Sequence, residues 1–289
     1  LFGLLWEGRK LIILITSVFA LCSIVLALSL NNYYKSQATL SLVTSSSGDR
    51  SALSGLGGLG LASLAGINIS STNASKLALI TNTINSRAFL KHLMSVDENV
   101  LPSLTAAASY DSESKKLVFD SDVYDAANNK WLETQPSYLQ AYRIYMQQLT
   151  VNYAQQHDII MLSVEHISPV FAQEFLDLII REVDNLLRQK DLQQSSDALA
   201  YLTSEISKTS LVAMKSSMNQ LIQSQLETQM MANISTNYVL NIIEPPFIPE
   251  KKFKPSRSLI VLLVTITGFV LSCLWILIRH FAFNEKSKA

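Results

Sequence analysis

Two apolar runs, Leu11 to Leu30 and Ser258 to Ile278, carry no charged residue, and each has about the 20 residues needed to cross the hydrocarbon core of a bilayer. They lie near the two ends of a 289-residue chain, so whatever folds between them is expected to start and finish at a membrane. The composition agrees with this, at 48% hydrophobic and 16% charged. Lys+Arg 23 against Asp+Glu 23 cancels, which removes the basic excess expected of a nucleic-acid binder. A wholly soluble protein and a multi-span carrier are both excluded, because no third apolar run of this length occurs. The first run exceeds the apolar core of a signal peptide, about 7 to 15 residues, and Asn31-Asn32-Tyr33-Tyr34 lacks a small-x-small cleavage pattern. It reads as a retained anchor.

The expected fold is α+β, with two transmembrane helices flanking an extramembrane α/β base domain and a projecting helical hairpin. The expected segments are a tail 1–10, a helix 11–30, a body 31–257, a helix 258–278 and a tail 279–289. Cys22 and Cys273 both fall inside the apolar runs, so the body has no disulfide scaffold. Orientation does not follow from charge. Five cations (Arg9, Lys10, Arg279, Lys286, Lys288) flank the runs outside, and six (Lys35, Arg50, Lys251, Lys252, Lys254, Arg257) flank them on the body side.

Within the body, Ala38, Leu40 and Leu42 alternate with polar residues, the period-two pattern of a half-buried strand. The same pattern recurs at Ile160, Leu162 and Val164, and over 237–244 at Tyr238, Leu240 and Ile242; Leu117-Val118-Phe119 is a shorter candidate. Since the first of these follows one apolar run and the last precedes the other, both are expected in one sheet. Lys76 to Ile84, Arg87 to Met94 (with Ser86 as N-cap) and Tyr138 to Leu149 read as helices, and 97–138 as mostly turns. From Val170 to Ile234 there is neither Gly nor Pro, and Pro169 stands at a favoured first-turn position. The apolar stripe is broad up to Leu187 and thins to Leu192, Leu199, Leu202 and Ile206. A single rod could not return the chain to the sheet, so 169–234 is expected to be a hairpin turning near Ser207 to Ser210, with arms of about 35 residues reaching roughly 50 Å. Its thin stripe would be poorly buried in a monomer, which points to neighbouring subunits as its cover. The base then comprises 31–168 and 235–244. Residues 245–257, with Pro245, Pro246, Pro249 and Pro255, form a stiff extended strut whose cations can meet lipid head groups.

Recognisable chemistry is sparse. Gly55-Leu56-Gly57-Gly58-Leu59-Gly60 has the Gly-x-Gly-x-x-Gly spacing, but no acidic residue stands about 20 positions on, and a flexible apolar loop is the better reading. Six of the nine glycines, Gly66 among them, fall between Gly48 and Gly66. The four histidines (His92, His157, His166, His280) lack metal-ligand spacing, and no cofactor site or catalytic group is legible. His157 with Asp158, and Glu165 with His166, are strand-end pairs expected to face water. Asp177/Arg181 and Asp184/Arg188 are i, i+4 pairs of ordinary helix-surface type. Gly268 and Ser272 form a small-x-x-x-small pair that permits close helix approach.

These features together resemble the Wzz-type chain-length determinants, the polysaccharide co-polymerases of Gram-negative bacteria. The resemblance runs through the Ser54 to Ile67 loop, Ser86-Arg87-Ala88-Phe89-Leu90, Tyr124-Asp125-Ala126, Lys130-Trp131, Pro136-Ser137 and Leu162 to Pro169. It continues through Tyr201-Leu202, Leu221 to Gln225, Met231-Ala232, Tyr238-Val239 and Glu244 to Arg257. Two departures stand out: Ala154 to Asp158 replaces a turn where relatives commonly have Gly, and Pro246 stands where they often have Ala. The resemblance implies an inner-membrane protein with both termini cytoplasmic and the body periplasmic. It also implies a ring-shaped homo-oligomer and non-enzymatic control of O-antigen length, with a Wzy polymerase, membrane lipids and the growing polysaccharide as partners. On that basis Pro245, Pro246, Pro249, Pro255 and Gly268 are candidates for coupling to the polymerase. Gly55, Gly57, Gly58, Gly60 and Gly66 are candidates for an oligomer or core contact. The alternative is a capsule or exopolysaccharide co-polymerase working with a separate tyrosine kinase, since only 11 residues follow Ile278 and a fused kinase is not expected. A two-span sensor would need a cytoplasmic output module, and a membrane-anchored enzyme a catalytic cluster.

Overall fold

The computed structural model describes residues 9–43, 72–154 and 159–284. In chain order its elements are α1 (Arg9–Ser29), β1 (Tyr34–Leu42), α2 (Thr72–Ile84), α3 (Arg87–Val96) and α4 (Val100–Thr105). There follow β2 (Ala107–Asp111), β3 (Lys116–Phe119), β4 (Tyr124–Asp125), β5 (Lys130–Trp131), α5 (Tyr138–Gln148), β6 (Leu149–Ala154) and β7 (Ile159–His166). The chain closes with α6 (Pro169–Ile206), α7 (Val212–Ile234), β8 (Leu240–Glu244) and α8 (Arg257–Asn284). Two compact units result: Lys35–Pro249, and Leu1–Tyr34 together with Glu250–Ala289.

In the Lys35–Pro249 unit a four-stranded sheet has the order β6-β7-β1-β8. The alternation seen in the sequence fixes its faces. Ala38 (2%) and Leu40 (0%) on β1 are buried, as are Ile160, Leu162 and Val164 on β7. β1 and β8 pair antiparallel from Leu42–Leu240 to Thr39–Glu244, with a register shift between Thr39 and Leu40 that leaves Ile243 unmatched. The first and last strands therefore do share one sheet. The last is shorter than expected, since 237–239 lie outside it.

Helix starts follow their caps. Ser86 accepts from Phe89 N–H at 3.0 Å, and Ser137 makes a reciprocal capping box with Gln140. Ser168 accepts from Phe171 N–H at 3.2 Å, ahead of Pro169 at the first turn of α6. The N-terminal half of α6 lies on the sheet, burying Phe175, Leu176, Ile179, Ile180 and Val183. Tyr145 of α5 packs edge-on against Phe175 and donates its hydroxyl to Ile84 O at 2.8 Å, which ties α5 to the end of α2.

Residues 97–138, expected to be mostly turns, hold the short helix α4 and two hairpins, β2–β3 and β4–β5. Both hairpin turns are built on aspartates. Asp111 accepts from Glu113 N–H and Asp125 from Ala127 N–H, each at 3.0 Å, and Lys115 and Asn129 take positive φ. Elements of two to six residues are too short to show periodicity.

In the other unit α1 packs on α8. Among the described residues one helix is long and apolar enough to cross a membrane by length and composition, Arg257–Trp275 within α8; the apolar stretch of α1, Ile13–Ser29, is shorter. Between the end of α1 and the start of α8, Tyr33 N–H donates to Lys254 O at 2.9 Å and Phe253 N–H to Tyr33 O at 2.7 Å.

Candidate functional site

Among the described residues no group of three or more His, Cys, Asp or Glu is placed to hold a metal ion. The histidines that could have suggested chemistry are used in packing. His166, expected to face water, is 1% exposed: its Nε2 lies 3.0 Å from Ser103 O, and its Nδ1 accepts from Ser168 N–H at 3.1 Å. One nitrogen donates and the other accepts, so the ring is neutral, and burial pushes its pKa down to about 4 despite these two backbone contacts. His92 Nε2 meets the buried Glu182 at 2.9 Å, joining α3 to α6. His157 and Asp158 lie outside the described residues, as does the Gly-rich loop with Gly55, Gly57, Gly58, Gly60 and Gly66.

The densest polar constellation is at the root of the hairpin, on a face of α6 set by Asp184, Arg188 and Asp191 at i, i+4 and i+7. Asp184 is 8% exposed, and its Oδ1 accepts from the backbone N–H of Tyr238 (3.1 Å), Val239 (2.7 Å) and Leu240 (3.2 Å). Arg188 bridges Asp184 Oδ2 at 3.0 Å and Thr236 O at 2.8 Å. The Tyr238 hydroxyl donates to Asp191 at 2.7 Å, and burial, followed by that carboxylate, raises its pKa. This clamp sits at the start of β8: one carboxylate takes the amides of 238 and 239, which lie outside the strand, and of Leu240, its first residue. It also corrects the reading of Asp184/Arg188 as an ordinary surface pair. Asp177/Arg181, at 3.8 Å and about half exposed, is the ordinary one. Spacing is identical in the two pairs, so sequence offered no signal to separate them.

Beyond the clamp the hairpin narrows. Helix α6 ends at Ile206 and α7 starts at Val212, so the turn falls where it was expected. The reach is less than expected, because half of α6 lies on the sheet; α7, at 23 residues, extends about 35 Å. The partly buried positions of α7 are Met218, Ile222, Gln225, Thr228 and Gln229, with Ala232 buried; Thr228 apart, they are spaced alternately four and three as in a two-helix seam. They face Leu192, Ser195, Leu199, Leu202 and Ile206, of which only Ser195 is buried. Leu226, Met230 and Ile234, four apart along α7, are 47%, 59% and 75% exposed.

The proline segment carries no regular structure. Pro245 is exposed, Pro246 and Pro255 half-buried and Pro249 buried, and the segment is tied to β1 by Ser36 Oγ donating to Phe247 O at 2.8 Å. Gly268 is far from these prolines in sequence, and its surroundings are of a different kind. A Cβ there would sit 2.6 Å from Phe19 Cβ and Cγ of the same chain. Ser272 (1%), Ser23 (1%) and Ala27 (2%) are buried in the same unit. Both serine hydroxyls donate to carbonyls of their own helices, at 2.7 Å each, so the contact between α1 and α8 is close approach of small residues without interhelical hydrogen bonds from them. Gly268 thus serves an intrachain helix pair.

Residues 1–96 match the family model Wzz, "Chain length determinant protein". Residues 215–281 match the model GNVR, "G-rich domain on putative tyrosine kinase". A solved structure described as a full-length bacterial polysaccharide co-polymerase aligns over 98% of this chain and 97% of its own, at 12% identity and a TM-score of 0.48. No curated protein matches the sequence.

Proposed function

The chain belongs to the Wzz family of chain length determinant proteins, and from that premise we propose that it sets the length of O-antigen as a non-enzymatic scaffold for a Wzy-type polymerase. In this reading α1 and α8 both span the inner membrane, the termini are cytoplasmic, and the Lys35–Pro249 unit is periplasmic. The observation that carries the scaffold reading is the hairpin surface. Leu226, Met230 and Ile234 form an apolar row on α7 that nothing among the described residues covers, and repetition of the chain around a ring would supply the cover. The experiment is a gel of surface polysaccharide from cells with and without the protein. Regulation predicts a change from a broad to a clustered ladder, and an unchanged ladder refutes it.

The GNVR match favours a second reading, a capsule or exopolysaccharide co-polymerase working with a separately encoded tyrosine kinase. Loss of export, with an intact O-antigen ladder, selects it over the first.

A further inference from the structure

We propose that α5 of one protomer takes the apolar row of α7 from the next, with Arg143 set against Glu227, in a contact between two different surfaces of the same chain. This rests on the homo-oligomer reading above and names the surface that covers the row. Outside α1 and α8, only α5 and α7 among the described helices carry more than one exposed large apolar side chain. On α5, Leu139 (41% exposed), Arg143 and Met146 (40%) recur at i, i+4 and i+7, so they share a face directed away from the buried Ala141 and Tyr145. On α7, Leu226, Met230 and Ile234 form the row, and Glu227 lies on its edge, three residues before Met230 and seven before Ile234. This face is distinct from the seam through Ile222, Gln225 and Gln229 that meets α6.

The two faces match in length and in charge. At the rise of an α-helix, Leu139 to Met146 spans about 10 Å and Leu226 to Ile234 about 12 Å. Arg143 is the one charged residue of α5, and Glu227 the one charged residue in the C-terminal half of α7, whose other charge is Lys215. Among the described residues neither Arg143 nor Glu227 forms an ion pair; Glu227 accepts from Gln223 Nε2 at 3.3 Å. With Arg143 level with Met230, the two charges fall within about 5 Å of each other along the axes whether the helices run parallel or antiparallel. A symmetric contact of α7 with α7 would place two carboxylates and no cation in the shared surface, and one of α5 with α5 two guanidinium groups. The cross-pairing neutralises both. Because its halves differ, any open row of protomers keeps one α5 face and one α7 face bare, and a closed ring occupies them all.

The test uses the full chain in neutral detergent, with Cys22→Ala and Cys273→Ala, treated with a bis-maleimide spanning about 10 Å, the separation of packed helix axes. Met146→Cys and Met230→Cys in one chain are expected to give a ladder of covalent species beyond the dimer, because each chain offers one face of each kind. Either cysteine alone is expected to give no cross-link. Dimers from Met230→Cys alone would mean a symmetric α7 contact and overturn the pairing. Arg143→Glu and Glu227→Arg are each expected to weaken association about tenfold, and the two together in one chain to restore it. No recovery in the doubly swapped chain overturns the match of Arg143 with Glu227. An oligomer by light scattering that yields no ladder from the two-cysteine chain refutes the α5 surface alone. A monomer at every concentration refutes the homo-oligomer reading, and this contact with it.

Discussion

The two halves of α6 have the same backbone conformation and opposite dependence on their surroundings. Up to Leu187 the helix lies on a sheet and buries Leu176, Ile179 and Val183 almost completely. From Leu192 on it packs against α7 along a seam containing Ser195, Gln225 and Gln229, and on this part of α6 only Ser195 falls in the buried class. The first half is stabilised by its own chain. The second has too little apolar contact to hold a fixed position unaided, so its order depends on what packs against it.

The sharpest way to break this contrast is a matched pair of truncations on the one helix. Ile179→Ala should cost about 4 kcal/mol and Leu199→Ala about 1 kcal/mol or less, read by thermal or denaturant unfolding of the full chain. Comparable losses would show that the hairpin has a core of its own. Next, Asp184→Ala strands three backbone amides beside Arg188 and should cost about 3 kcal/mol, with faster hydrogen exchange at 236–240. Unchanged exchange there would mean that the clamp is dispensable.

Acid sharpens the comparison because it acts on the sheet end. His166 resists protonation when folded, with its pKa near 4, whereas unfolded histidine titrates near 6.5. Between those values only the unfolded chain gains the proton. Stability is therefore complete above about pH 6.5 and falls by roughly 3 kcal/mol as the pH approaches 4. His166→Gln should flatten the pH dependence of unfolding over that window. The smallest effect on folding is expected from Met230→Glu on α7, within about 0.5 kcal/mol. The same change should dissociate the proposed assembly in size-exclusion chromatography with light scattering, and an oligomer of unchanged size would remove α7 from the interface.

Much of this arrangement could be read from sequence where periodicity is long or a cap is explicit. Alternation through Ala38 and Leu40, the N-cap at Ser86 and the uninterrupted stretch after Pro169 each reflect one local rule and nothing that competes with it. The hairpin turn was legible because geometry forces a return. What escaped depends on distant partners. Asp184 and Asp177 each have an Arg four residues on, and only the arrival of 238–240 some 54 residues later makes one of them a buried acceptor. His166 looked like a strand-end polar residue because the carbonyl of Ser103, 63 residues away, is invisible in sequence. Pro249 illustrates the same limit among the candidate residues. It sits buried in a segment that reads as solvated, so its substitution should cost stability where that of exposed Pro245 should not.

The pairing of β1 with β8 also sets a timetable. Thr39 and Glu244 are 205 positions apart, so a ribosome adding about 5 to 20 residues each second needs roughly 10 to 40 s to supply the partner. Throughout that interval one edge of β1 has unpaired backbone groups, a template for any passing strand. A nascent or prematurely terminated chain lacking Leu240 to Glu244 would keep that edge open, and the envelope's chaperones and proteases would meet it in that state.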